Sequence, residues 1–122
     1  LHYQNPHAQG KLIRVIAGEI FDVAVDLRAN SSTFGRYCGI KLSAHDHKLF
    51  WIPEGFAHGF VALSESAELL YKASDYYASE CERCIVWNDP DLDIRWPIAG
   101  SELIVSRKDR SGALFRDSEY FE

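Results

Sequence analysis

From end to end this chain of 122 residues alternates apolar and polar side chains over short runs rich in Val, Ile, Phe and Tyr. A pattern of period two can bury one face only as a strand. "KLIRVIAGEIFDVAVDLR" (11–28) reads as two strands joined around Gly18-Glu19, after a strand-like "LHYQ" at the very start. In the second strand of that pair, Phe21, Val23, Val25 and Leu27 share one face, and Asp22, Ala24 and Asp26 the other. "TFGRYCGIKLS" (33–43) and "HKLFWIPEG" (47–55) supply two more. "HGFVALSESAELLYKASDYY" (58–77) supplies another two, turning near Ser64-Glu65-Ser66. "CERCIVWNDP" (81–90) and "SELIVSRKD" (101–109) read as short late strands on either side of the loop "NDPDLDIRWPIAG" (88–100). No stretch keeps i, i+3, i+4, i+7 apolar spacing over three turns, so little helix is expected. Roughly eight strands with turn signals between them predict an all-β single domain over 1–122, a double-sheet jelly roll or a related barrel.

Composition narrows the function classes. At 47% apolar and 25% charged residues the chain can bury one core, and its length is too short for two. No apolar run approaches the roughly 18 residues of a membrane helix. A net charge of −5 with no Lys/Arg-rich segment argues against nucleic-acid binding, although a nucleotide-linked small molecule needs only a few local cations. Three cysteines, an odd number, argue against a disulfide framework. Cys81 and Cys84 form a lone CxxC, at most two zinc ligands, and read as incidental thiols.

The acid–base candidates are His2, His7, Lys11, Asp22, His58, Tyr71, Tyr76, Tyr77 and Asp109. His45 and His47 lie in the polar turn "SAHDHKL" and read as surface residues; as an HxH pair they would need further ligands on neighbouring strands to hold a metal. Asp22 is open to two readings. It is either a solvated outer residue or a carboxylate on the lumen face of a barrel. His58, in "WIPEGFAHGF" (51–60), sits at a turn–strand edge among aromatics, as a hydrogen-bonded core histidine or as a residue of a barrel mouth. Tyr71 reads by default as a core tyrosine, but a phenol held in a site can act as a general acid.

Taken in order, "LHYQNPHAQGKLIRVIAGEIFDVAVDLR", "TFGRYCGIKLS", "FWIPEGFAHGFVAL", "ELLYKASDYY", "WNDPDLDIRWP" and "SRKD" resemble the dTDP-4-dehydrorhamnose 3,5-epimerase family over nearly the whole chain. The resemblance implies a metal-free, cofactor-free, cupin-like jelly roll that acts as a cytoplasmic homodimer. Such an enzyme converts dTDP-4-dehydro-6-deoxy-D-glucose to dTDP-4-dehydro-L-rhamnose for cell-surface polysaccharide. It also implies roles at matching positions. His2 in "LHYQ" is the base, and Asp109 in "SRKD" is the carboxylate paired with it. Tyr71 in "LLYK" is the acid on the opposite face of the sugar, and Lys11 in "QGKL" is the cation beside the C4 oxygen. His58 and Asp22 form a second polar pair lining the pocket. Gln4 is a substrate contact, and Tyr77 stacks on the thymine. In that family "LHYQ" follows an arginine-glycine pair and a substantial N-terminal segment that covers the substrate and exchanges strands with the partner. The resemblance implies that this chain lacks that segment, and the tail "RSGALFRDSEYFE" (110–122) departs from the family's proline-containing ending. A single-site epimerase acting at C3 or C5, and an inactive sugar-nucleotide-binding fragment, are the alternative readings.

Overall fold

The computed structural model describes residues 1–98 and 103–122. Eight strands appear among them: β1 (His2–Gln4), β2 (Lys11–Ala17), β3 (Glu19–Asp26), β4 (Tyr37–Ser43), β5 (Phe50–Ile52), β6 (Phe56–Ala62), β7 (Glu68–Ala73) and β8 (Glu82–Cys84). They form two antiparallel sheets, one of five strands in the order β4-β3-β6-β1-β8 and one of three in the order β5-β2-β7. This is the double-sheet jelly roll that the period-two pattern predicts.

β3 lies between β4 and β6, and it is buried from Ile20 almost continuously to Asp26. Its two faces serve two cores. Val23, Val25 and Leu27 pack with Leu1, Tyr3, Ala57, Ile85 and Leu92 on the outer side of the five-stranded sheet. Ile20 and Ala24 pack with Ile13, Val15, Leu42 and Ile52 between the sheets. Asp22 is fully buried and shares the inner face with Ile20 and Ala24, so it is the lumen carboxylate rather than the solvated residue.

Gly18 turns the chain between β2 and β3 at a φ of 73°, and a Cβ there would lie 2.2 Å from the Ser66 carbonyl oxygen. Only glycine fits that turn.

The C-terminal region departs from expectation. The first two residues of the expected strand 101–109, and the last two of the loop before it, lie outside the described residues. Residues 103–106 are irregular and Arg107–Arg110 form a short helix, α1. The cause is local. The Ser106 hydroxyl accepts from the Asp109 backbone N–H and donates to the Asp109 carboxylate, so Ser106 is the N-cap of this helix. The tail to which the sequence lent no role closes the outer core. Phe115 and Phe121 pack there, the Tyr3 hydroxyl donates to the Glu119 carbonyl, and the Arg28 and Phe121 backbones bridge. Asp89 of "WNDP" is buried and accepts from the backbone N–H groups of Asp91, Leu92 and Phe115, which ties the loop to that tail.

Candidate active site

Strand register builds one wall of the site. His2 on β1 stands opposite His58 on β6 and Cys84 on β8, so the three occupy one row across the sheet and project from the same face. Gln4 stands opposite Glu82 one pleat along. Because Leu1 and Tyr3 point into the outer core, His2 and Gln4 point inward.

The three-stranded sheet supplies the facing wall. Lys11 and Ile13 lie on the inner face of β2, and Tyr71 on β7 is registered against Ile13. Between the walls is a cleft of about 890 Å³, within the range of small-ligand pockets. His2, Lys11, His58, Tyr71 and Asp109 all line it, as do Gln4 and Tyr77. Asp22 lies beneath, reached through His58.

Both nitrogens of His2 face carboxylates. Nδ1 lies 3.1 Å from Glu82 Oε1, and Nε2 lies 2.6 Å from Asp109 Oδ1. The Cys84 sulfur is also 3.8 Å from Nε2. The pKa of His2 is raised; contact with Cys84 contributes most, burial opposes the rise and Asp109 adds to it. With a carboxylate at each nitrogen the imidazolium has two acceptors for its two N–H groups. Burial pushes the Asp109 carboxyl up, but hydrogen bonds from Ser106 and His2 outweigh it and hold the carboxyl below its ordinary range. Glu82 behaves alike, because the Lys108 ammonium and the Tyr77 hydroxyl donate to it.

Across the cleft, burial lowers the pKa of Lys11, while the Asp22 and Glu82 carboxylates favour the ammonium. His58 Nε2 lies 2.8 Å from Asp22 Oδ1. The other oxygen of that carboxylate is buried without a hydrogen-bond partner.

Gln4 is buried, and its amide is taken up by backbone. It donates to the His7 and Tyr76 carbonyls and accepts from the Ala78 N–H, which fixes the loop carrying Tyr76 and Tyr77 over the cleft. Tyr77 is exposed at the rim with its hydroxyl on Glu82. Tyr76 is the more exposed of the two, and His7 is an exposed residue beside Asp75. His45 and His47 are exposed on the turn between β4 and β5, as expected.

Sequence reasoning missed Glu82. The eye is drawn to 81 and 84 as a CxxC, yet on a strand it is 82 and 84 that share a face. The structure splits that motif: Cys81 is buried and Cys84 lies against His2, and both are free thiols.

A family model described as dTDP-4-dehydrorhamnose 3,5-epimerase matches residues 1–117. The dTDP-4-dehydrorhamnose 3,5-epimerase of Pseudomonas aeruginosa is 59% identical over 121 residues, which is 99% of this chain and 66% of that protein. The chain therefore spans just under two thirds of the length of that relative. The crystal structure of dTDP-4-dehydrorhamnose 3,5-epimerase from Elizabethkingia anophelis superimposes with a TM-score of 0.95 at 47% identity, covering 98% of this chain and 66% of that one. An epimerase from Legionella pneumophila, solved in complex with dTDP-4-keto-L-rhamnose, gives 0.93 at 48% identity over 98% of this chain and 63% of its own.

Proposed function

As this chain belongs to the dTDP-4-dehydrorhamnose 3,5-epimerase family, we propose that it inverts C3 and C5 of dTDP-4-dehydro-6-deoxy-D-glucose through enolate intermediates. One observation carries the reading. A histidine held between two carboxylates lines the same cleft as a buried lysine and a tyrosine from the opposite sheet.

Both carbons lie beside the C4 ketone, so loss of a proton from either gives an enolate whose charge develops on O4. Neutral His2 takes the proton from C3, and Asp109 and Glu82 stabilise the imidazolium that forms. The Lys11 ammonium faces the developing oxyanion; a preorganised donor of this kind is worth roughly 3–4 kcal/mol. Tyr71 projects from the other wall and returns a proton to the opposite face of the carbon, which inverts it. Solvent then takes the proton from the imidazolium and restores the phenol. The same sequence at C5 completes the reaction. Lys11 supplies the electrophile that a metal would otherwise provide, so no cofactor enters the proposal. His58 and Asp22 buttress the wall beside His2, and the rim tyrosine Tyr77 offers a ring for the thymine to stack on.

A second copy of this chain is the proposed partner, supported by the exposed apolar residues Ile16, Trp51 and Leu70 on the three-stranded sheet. The proposed compartment is the cytoplasm, where nucleotide sugars are made. The free thiols agree with it, and no helix among the described residues is long and apolar enough to cross a membrane.

Proton NMR of the substrate in D2O tests the reading. Deuterium should enter at C3 and C5, and His2→Asn should slow both by about 10²–10⁴-fold. Exchange at one carbon alone would reassign the chain to single-site epimerisation. No exchange from folded protein would overturn the assignment.

A further inference from the structure

The row His58, His2, Cys84 brings a thiol to the base, and nothing in the proposed epimerisation uses it. Cys84 Sγ lies 3.8 Å from His2 Nε2, Asp109 Oδ1 lies 2.6 Å from that same nitrogen, and all three donor atoms fall within 4.8 Å of one another. Ligands of a tetrahedral zinc ion, with Zn–N near 2.0 Å and Zn–S near 2.3 Å, stand about 3.5 Å apart. The nitrogen and sulfur already stand close to that spacing, and the carboxylate needs to retreat by under about 1 Å to admit an ion.

The surroundings are those of a metal site as well. His2 Nδ1 is held by Glu82 Oε1 at 3.1 Å, the carboxylate–histidine–metal arrangement that orients a ligand's ring, and an ion between Nε2, Cys84 and Asp109 takes the place of the Nε2 proton that Asp109 otherwise accepts. Glu82 is itself anchored by Lys108 and Tyr77, and Asp109 by Ser106. Three protein donors with the cleft open beside them leave a fourth position for water.

We propose that His2, Cys84 and Asp109 bind one zinc ion, and that the bound ion inhibits the chain by occupying the lone pair of its base. In binding, the Cys84 thiol and His2 Nε2 each lose a proton to solvent and no redox change occurs. One imidazole, one thiolate and one carboxylate form a donor set that favours zinc over magnesium or calcium. The inhibitory half rests on the assignment of His2 as the base; the binding half does not.

The test uses the whole chain, first stripped with a chelator. Titration with Zn²⁺ against a chromophoric competitor should give one tight site per chain. Co²⁺ should give thiolate-to-metal charge-transfer absorption together with the intense visible bands of a tetrahedral ion. Cys84→Ser and Cys84→Ala should abolish the charge-transfer band. Either should weaken zinc by about a hundredfold or more, beyond the 10–100-fold that outer partners command. Cys81→Ser and Cys38→Ser should leave both signals intact, and thermal melts report that each variant is folded. Absence of a tight site, or a site indifferent to both Cys84 variants, would overturn the proposal. The deuterium-exchange assay then separates the halves. Zinc that binds through Cys84 and stops exchange supports both, whereas zinc that binds so and leaves exchange intact supports the site and overturns the role of His2 as base.

Discussion

At the scale of single residues, the informative side chains are carboxylates whose charge the fold has found a use for. Glu82 accepts from His2, Tyr77 and Lys108 together, so it sets both the tilt of the imidazole and the place of the rim tyrosine. Glu82→Gln keeps the volume but loses the charge and one acceptor. Deuterium exchange at C3 and C5 should slow by about a hundredfold, the cost of a base displaced by about an ångström, with little change in melting temperature. Asp26 has no part in the cleft. Its buried carboxylate accepts from the Arg28 guanidinium and from the hydroxyls of Ser31 and Thr33, and the Arg28 contact does most to hold its pKa far below the ordinary value. A depressed carboxyl stabilises the fold above its unfolded pKa of about 3.9, and that contribution is lost as pH falls through the folded value. Urea unfolding should therefore show stability falling steadily below about pH 4. Asp26→Asn should flatten that decline and lower the urea midpoint at neutral pH, because Arg28, Ser31 and Thr33 lose their charged acceptor.

At the scale of elements, β3 explains why alternation was a good guide to strands and a poor guide to burial. From Phe21 onward its odd residues are apolar and its even ones small or acidic, which reads as one dry face and one wet one. Both faces are in fact dry, because the tail seals one and the second sheet covers the other. The acid on the inner face is paired with His58, 36 residues away in sequence but on the neighbouring strand. The β2–β3 turn is the sharpest local constraint. Gly18→Ala places a methyl against the Ser66 carbonyl at positive φ. It should cost about 1–3 kcal/mol, read as a lower denaturant midpoint at unchanged slope.

At the scale of the molecule, the site exists because two sheets face each other. His2 and Asp109 are separated by almost the full chain and meet at 2.6 Å, and Lys11 and Tyr71 approach from strands of the other sheet. The outer face of that second sheet exposes Trp51 and Leu70 to about half their full area. Paired with a second copy, this face would be covered. Sedimentation equilibrium should find a dimer, and the double variant Trp51→Glu, Leu70→Glu should shift it to monomer while keeping β-rich circular dichroism. A monomeric parent chain would refute the pairing.

The strands between Lys11 and Cys84, the Gly18 turn and the β-rich class were determined by the sequence alone, because period and turn chemistry are local properties that each short segment carries within itself. "SRKD" carried its serine N-cap as plainly, and its failure to read as a helix start came from giving the apolar "LIV" before it more weight than the serine. The motif resemblance named His2, Lys11, Tyr71 and Asp109, and they do line one cleft. What only the tertiary structure decided was adjacency: that Glu82 is the second carboxylate on His2, that Gln4 braces a loop, and that half of a CxxC stands beside the base while the other half is buried. Those facts follow from which strands are neighbours and in what register. Register is fixed by the burial of whole faces across the sheets, and no single segment contains that information.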